Sequence, residues 1–182
     1  MENNLNDEFF KAKNIDDAEL VIIGAPFDST TSFRPGSRFG PASIRNNLFG
    51  LESYSPYQNK DMQDYKIYDA LDIDVVYGNA DKTLLNIEEA LSKHYLNNQK
   101  CILLGGEHLV TLAAIKTLTK KFSKIKVIQF DAHLDLRQDF LGEKLSHACV
   151  IRRIGEITGF ENIYQFGVRS GTKQEWNFAG HN

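Results

Sequence analysis

Two aspartates and a histidine at every second position, Asp131, His133 and Asp135, follow directly on an apolar run containing Ile125, Val127, Ile128 and Phe130. The run reads as a buried strand from Lys126 to Phe130. Side chains alternate across an extended chain, so if that geometry continues for a few residues both carboxylates and the imidazole fall on one side. Oxygen and nitrogen donors so close together suit a divalent metal. The competing reading is a solvated loop with incidental charges, because a lone Asp-x-His-x-Asp is a weak motif. In open parallel sheets the loops after the strands converge at the carboxyl edge, and ligands bind there.

A second polar group arrives after Cys101-Ile102-Leu103-Leu104, another continuous apolar run. Gly105 and Gly106 let the backbone turn tightly and bring Glu107 and His108 to the same edge. Alone, His108 would read as a cap or packing residue at a helix start; its convergence with Asp131, His133 and Asp135 makes four candidate ligands from two strands. His147, in Leu145-Ser146-His147-Ala148, comes from the loop that follows the Lys126 to Phe130 strand. A helix-start histidine beside a Ser cap is the alternative there.

These side chains need a scaffold, and the periodicity supplies one. Residues 1–18 read as an arm or short helix. Leu20 to Pro26 reads as a strand buried on both faces, and residues 27–40, rich in Ser, Thr, Gly and Pro, as a long functional loop. Pro41 opens a short helix through Ile44, Asn47 and Leu48 that Gly50 can end. Residues 51–64 read as loop, and Lys66 to Leu71 as a weaker strand. From Asp81 to Gln99, Leu84, Ile87, Leu91 and Tyr95 share one helical face, with Leu85 and Leu96 beside them. A helix bearing Leu109, Leu112, Ala113 and Leu118 follows the Cys101 to Leu104 strand. After the Lys126 to Phe130 strand come a helix, Ser146 to Phe160, with Ala148, Ile151 and Ile154 inward, and a strand, Ile163 to Val168. Alternating strands and helices predict an α/β fold with parallel pairing and right-handed crossovers.

Composition narrows the partners. The 182 residues fit one α/β domain, residues 1–182. A formal net charge of -3 supplies no basic field for nucleic acid or acidic membrane, which leaves a small molecule or another subunit. The start, MENNLNDEFF, has no apolar h-region, and no run is long enough to span a bilayer, so a cytoplasmic location is the expectation. Cys101 and Cys149 fit reduced, buried thiols with no catalytic role.

The ordered set GGEH (105–108), DAHLDLR (131–137), LSHACVIRR (145–153) and FGVRSG (166–171), preceded by TSFRPGSRFGP (31–41), resembles the ureohydrolases. Among them it is more similar to bacterial agmatinases than to arginases, and the similarity runs from about residue 15 onward. The resemblance implies a three-layer α/β/α arginase-like fold with a mainly parallel sheet. It implies hydrolysis of the guanidinium group of agmatine to putrescine and urea, with two Mn2+ per complete site and a homo-oligomer as the complete protein. Arginine or another guanidino compound stands as the alternative substrate. Carried over by position, His108, Asp131 and Asp135 bind one metal and His133 and Asp131 the other, with Asp131 bridging. His147 is the catalytic residue, for proton transfer or for binding the tetrahedral intermediate, and Glu107 orients ligands. A guanidinium is a resonance-stabilised, poor electrophile, and two metals supply a water acidic enough to attack it.

The sequence departs from the family in one respect. Ureohydrolases carry a later strand ending in Asp-x-Asp that completes both metal sites, and roughly the last third of the family's length lies past Asn182. In the family's sheet order that part lies between the strand ending in GGEH and the strand ending in DAHLD. The sheet is therefore expected to be incomplete, and the chain alone inactive and marginally folded. A product shortened by frameshift or sequencing error, one piece of a split protein, and a shortened homologue with a non-catalytic or regulatory role are the three readings of this. A binuclear phosphoesterase is disfavoured, because no Gly-Asn-His-type motif is present.

Overall fold

Uninterrupted aliphatic residues make Leu20–Ala25 strand β1, and Val21, Ile23 and Ala25 are fully buried. The computed structural model describes residues 9–96 and 99–181. Of the arm, residues 1–8 lie outside the described residues; Phe9 is buried, and Ile15–Asp17 form a 3-10 turn. Helix α1, Gly40–Asn46, starts with Pro41 in its first turn, where the missing N–H has no intrahelical partner to lose. A 3-10 turn, Leu48–Gly50, follows it. Strands β2 (Tyr54–Ser55) and β3 (Lys60–Asp61) make a small hairpin inside the stretch expected to be loop. Strand β4 is Ile67–Asp72, and Arg45 of α1 reaches it with a two-pronged contact to Asp69 at 2.7 and 2.9 Å and a further bond to Asp72.

Helix α2, Ala80–Leu96, buries Leu84, Ile87 and Leu91 as its apolar period requires, and leaves Leu85 exposed. The side chains of Tyr95 and Leu96 lie outside the described residues. Strand β5, Lys100–Gly105, leads to helix α3, Val110–Thr119. Strand β6, Val127–Phe130, is followed by a 3-10 turn, His147–Cys149, and helix α4, Val150–Thr158. Strand β7, Ile163–Phe166, and helix α5, Lys173–Ala179, complete the described chain.

All pairings in the main sheets are parallel. β1 lies between β4 and β5, running in register with β5 from Leu20 opposite Lys100 to Ala25 opposite Gly105. β6 pairs with β7, Val127 opposite Ile163 and Phe130 opposite Phe166. Among the described residues no hydrogen-bonded strand joins the three-stranded sheet to the two-stranded one. The two are held together through the helices: α2 packs on α3, and α3 on α4. That seam is mostly apolar, with Ile87, Leu91, Leu109, Leu112, Val150, Ile151 and Ile154 all nearly solvent-free, and the buried Glu88 of α2 meets Lys120 at 2.8 Å across it. Each such apolar side chain stabilises by about 1.5–3 kcal/mol relative to exposure.

The expected burial of the Lys126 to Phe130 strand holds for one face only. Val127 and Gln129 are buried, whereas Ile128 is 62% and Phe130 82% exposed. Alternate side chains point to opposite faces of the sheet, and the face that carries Ile128 and Phe130, with Tyr164 and Phe166 beside them on β7, is left largely open by the described residues. β5 shows the same asymmetry, with Ile102 43% exposed.

The glycine pair after β5 has a steric cause. β1 and β5 stay hydrogen-bonded past their ends, Gly106 N to Ala25 O at 3.0 Å and Glu107 N to Phe27 O at 2.7 Å. A Cβ on Gly106 would collide with the Phe27 backbone, which cannot rotate away. Gly106→Ala is therefore expected to destabilise the chain by about 1–3 kcal/mol, measured by urea unfolding. Gly50→Ala, where a Cβ meets open space, should change stability by no more than about 0.5 kcal/mol. Equal effects of the two substitutions would contradict this account.

Candidate metal centre

All six residues singled out in the sequence, Glu107, His108, Asp131, His133, Asp135 and His147, line one cleft of about 570 Å³ at the carboxyl ends of β5 and β6. Three of them, His108, Asp131 and Asp135, form a group whose donor atoms lie within 4.8 Å of one another. His108 Nδ1 is 2.7 Å from Asp135 Oδ2 and 3.6 Å from Asp131 Oδ2. His133 stands on the other side of Asp131. Its backbone N–H donates to Asp131 Oδ1 at 2.8 Å, and its Nδ1 lies 3.2 Å from the same oxygen. The two oxygens of Asp131 thus face different histidines.

Burial opposes ionisation of Asp131, but the His133 backbone N–H and the nearby His108 outweigh it and hold the carboxyl below its ordinary value. The His133 side chain is 63% exposed.

The chain does not reach this arrangement by staying extended. Asp135 sits at φ +52, in the left-handed region, and Leu134, Asp135 and Leu136 are buried in succession. Strict alternation from residue 131 to 135 is thus corrected. The backbone is pinned on both sides of the kink: the Asp135 carbonyl accepts from the N–H groups of Ile151 and Arg152 at 3.1 and 3.2 Å, and Leu136 N donates to Glu175 Oε1 at 3.1 Å. Glu175 is itself buried and fixed by a capping box with Thr172 at the start of α5. Pairing continues beyond β6 and β7, with His133 bridged to Ser170.

Glu107 reaches a different loop. Its carboxylate accepts from Thr30 N at 3.0 Å and from the Thr30 hydroxyl. Burial pushes the Glu107 carboxyl above its ordinary value, and these two hydrogen bonds oppose that rise. The His147 backbone N–H donates to Thr30 Oγ1 at 3.0 Å, and the Phe140 ring meets the His147 ring edge-on at 5.5 Å. Sequence reading missed Thr30. The loop was flagged by composition, but nothing distinguished Thr30 from Ser29, Thr31 or Ser32.

Asp28 was missed as well. It is buried, and its carboxylate meets Arg38 Nη2 at 2.5 Å and accepts from Gly36 N at 2.7 Å and Arg38 N at 3.2 Å. One carboxylate therefore closes the loop from residue 29 to 36, whose Thr31, Ser32 and Phe33 form a wall of the cleft. Both cysteines are free, and burial pushes each thiol up to about 11. Cys149 is buried as expected, and Cys101 partly so. Among the described residues no helix is long and apolar enough to cross a membrane.

Fold and site together define a known class, and the chain belongs to the arginase family, whose pattern residues 18–182 match. It is 46% identical over 166 residues to an agmatinase of Bacillus anthracis, covering 91% of this chain and 57% of that protein. It is 44% identical over 164 residues to the N(1)-aminopropylagmatine ureohydrolase of Thermococcus kodakarensis, covering 89% of this chain and 55% of that one. The crystal structure of the agmatine ureohydrolase of Thermoplasma volcanium superposes with a TM-score of 0.85 at 32% identity, covering 93% of this chain and 57% of that one. The fold is the arginase-like α/β/α arrangement, incomplete in this chain, which spans a little over half the length of the relatives it matches.

The Asp28 cluster yields a test with a defined pH sign. Burial alone would raise the Asp28 carboxyl, but the Arg38 side chain and the Arg38 and Gly36 N–H groups hold it below its ordinary value. Its stabilisation is thus fully present above the ordinary carboxylate value and is lost as the pH falls through the depressed one. Asp28→Asn should cost about 1–3 kcal/mol at neutral pH, and the gap to the parent protein should close on acidification. Urea melts at several pH values read this directly; a gap that widens toward acid would contradict it.

Proposed function

We propose that this chain carries the first part of a manganese-dependent ureohydrolase that cleaves the guanidinium group of agmatine to putrescine and urea. The observation that carries the reading is the convergence of His108, Asp131 and Asp135 from two separately paired sheets onto one point. The donor set fits the group: one imidazole and two carboxylates, hard and borderline ligands, suit Mn2+. A cation among them would take the place of the proton that His108 Nδ1 and Asp135 Oδ2 share at 2.7 Å. His108, Asp131 and Asp135 would hold one ion, and Asp131 with His133 would contribute to a second.

When bound, the ions supply Lewis acidity that makes water a competent nucleophile at neutral pH. The protein's own residues do the rest. Asp131 and Asp135 bring negative charge that offsets a bound cation. His147, on the cleft wall and anchored by its backbone to Thr30, would move a proton during urea release. Phe33 and Phe140 give the cleft apolar surface for an alkyl chain. Agmatine is preferred over arginine on similarity to agmatinases. A homo-oligomer and a cytoplasmic location remain expectations from the same similarity.

Manganese titration of the chain by calorimetry tests the ligand assignment. One site should be tighter than any other, because the first set supplies three ligands and the second two. Even outer partners of metal ligands cost about 10–100-fold in affinity, so His108→Ala or Asp135→Asn should weaken that site by at least tenfold, while His133→Ala spares it. Two equal tight sites would contradict the assignment.

Activity needs a second experiment. Fused to the remaining portion of the Bacillus anthracis agmatinase, the chain should release urea from agmatine only with manganese, and His147→Ala should lower turnover with metal still bound. The 182-residue chain alone should release none. Urea release without manganese, or metal loss in the His147 variant, would overturn the proposal.

A further inference from the structure

Three loops meet at one hydroxyl. Thr30, in the loop after β1, donates its hydroxyl proton to Glu107 in the loop after β5, and Thr30 N donates to the other Glu107 oxygen at 3.0 Å. Its Oγ1 also accepts from the backbone N–H of His147, in the segment after β6, at 3.0 Å. The same oxygen lies 3.5 Å from His147 Nδ1.

A hydroxyl has one proton and two lone pairs. With the proton committed to the Glu107 carboxylate, both lone pairs face His147, one toward its N–H and one toward its ring. Toward the ring, Thr30 can only accept. Ser146 Oγ is the other neighbour of Nδ1, at 3.2 Å, and it accepts from Ala148 N at 3.4 Å. Its hydroxyl can rotate either to donate to Nδ1 or to accept from it, so Ser146 serves either tautomer and does not choose between them. The choice falls to Thr30.

We propose that Thr30 is a positioning residue that holds neutral His147 as the Nδ1–H tautomer and leaves Nε2, on the opposite side of the ring, as a proton acceptor at the cleft. This deepens the ureohydrolase reading and rests on it for the role of His147 in proton transfer. A histidine can take a proton only at a nitrogen with a free lone pair, and the partner of the other nitrogen decides which one that is. Glu107 acts through Thr30: its carboxylate, by accepting the hydroxyl proton, removes the alternative in which Thr30 donates to Nδ1.

The test reads the tautomer and needs neither metal nor substrate, so its failure is distinct from failure of the ureohydrolase reading. The full chain is labelled with 15N-histidine and its imidazole nitrogens are recorded without added metal at roughly pH 9, well above the ordinary histidine value. His147→Gln identifies the signal by its loss. The expected result is a His147 with protonated Nδ1 and unprotonated Nε2. Thr30→Val keeps the shape and removes the hydroxyl, and should shift the His147 population toward Nε2–H, while Thr30→Ser restores the parent spectrum. The His94 and His181 signals should stay in place, because neither residue touches this cluster. A His147 found as Nε2–H in the parent chain overturns the proposal, whether or not the valine variant folds. So does a folded Thr30→Val whose His147 nitrogens are unmoved.

Discussion

The contact between His108 and Asp135 is where this structure is joined at its functional edge. β5 ends one sheet and β6 begins another, and among the described residues no strand hydrogen bond connects them. An imidazole from the first and a carboxylate from the second meet at 2.7 Å across that gap. The His147 N–H, which donates to Thr30 Oγ1 at 3.0 Å, is a second link between the halves at this edge, and the packing of α2 on α3 and of α3 on α4 couples them as well. The geometry of the donors therefore depends on backbone devices: the crossing at Gly106, the pinned kink at Asp135, and the Thr30 hydroxyl that ties in the loop after β1.

Electrostatics sets how far the site can go by itself. Asp131 and Asp135 bring two negative charges, enough to match one divalent ion and too few for two. A second ion would leave excess positive charge in a partly buried cleft, which is costly unless further carboxylates arrive. Apolar side chains also stand exposed on the faces of the strands that border this gap, Ile102 on β5 and Ile128 and Phe130 on β6, with Phe130 stacked on Phe166 at 5.4 Å. Unpaired strand edges of this kind invite pairing with other chain segments. Incomplete charge compensation and incomplete sheet pairing thus occur at one place.

Much of this was legible in the sequence because the signals were local. Continuous aliphatic runs placed β1 and β5, a 3.6-residue period placed α2 with Leu84, Ile87 and Leu91 inward, and two glycines before Glu107 marked a tight turn. All six flagged polar residues reached one cleft. What the sequence hid was non-local. The kink at Asp135 depends on α4 and on Glu175, both distant in the chain, so an extended Asp-x-His-x-Asp was the natural but incorrect geometry. Thr30 and Asp28 sit among several chemically similar neighbours, and only the folded loops show which hydroxyl meets Glu107 and which carboxylate meets Arg38. The hairpin of β2 and β3 was hidden because two-residue strands carry no period to read.

The central claim is that His108, Asp131 and Asp135 together define the stronger cation site of this chain. Diffraction from crystals grown with Mn2+, recorded on either side of the manganese absorption edge, locates the ion without reference to activity. The account predicts the strongest anomalous peak in coordination contact with His108, Asp131 and Asp135. A strongest peak elsewhere, or none among these three side chains at saturating manganese, would contradict it.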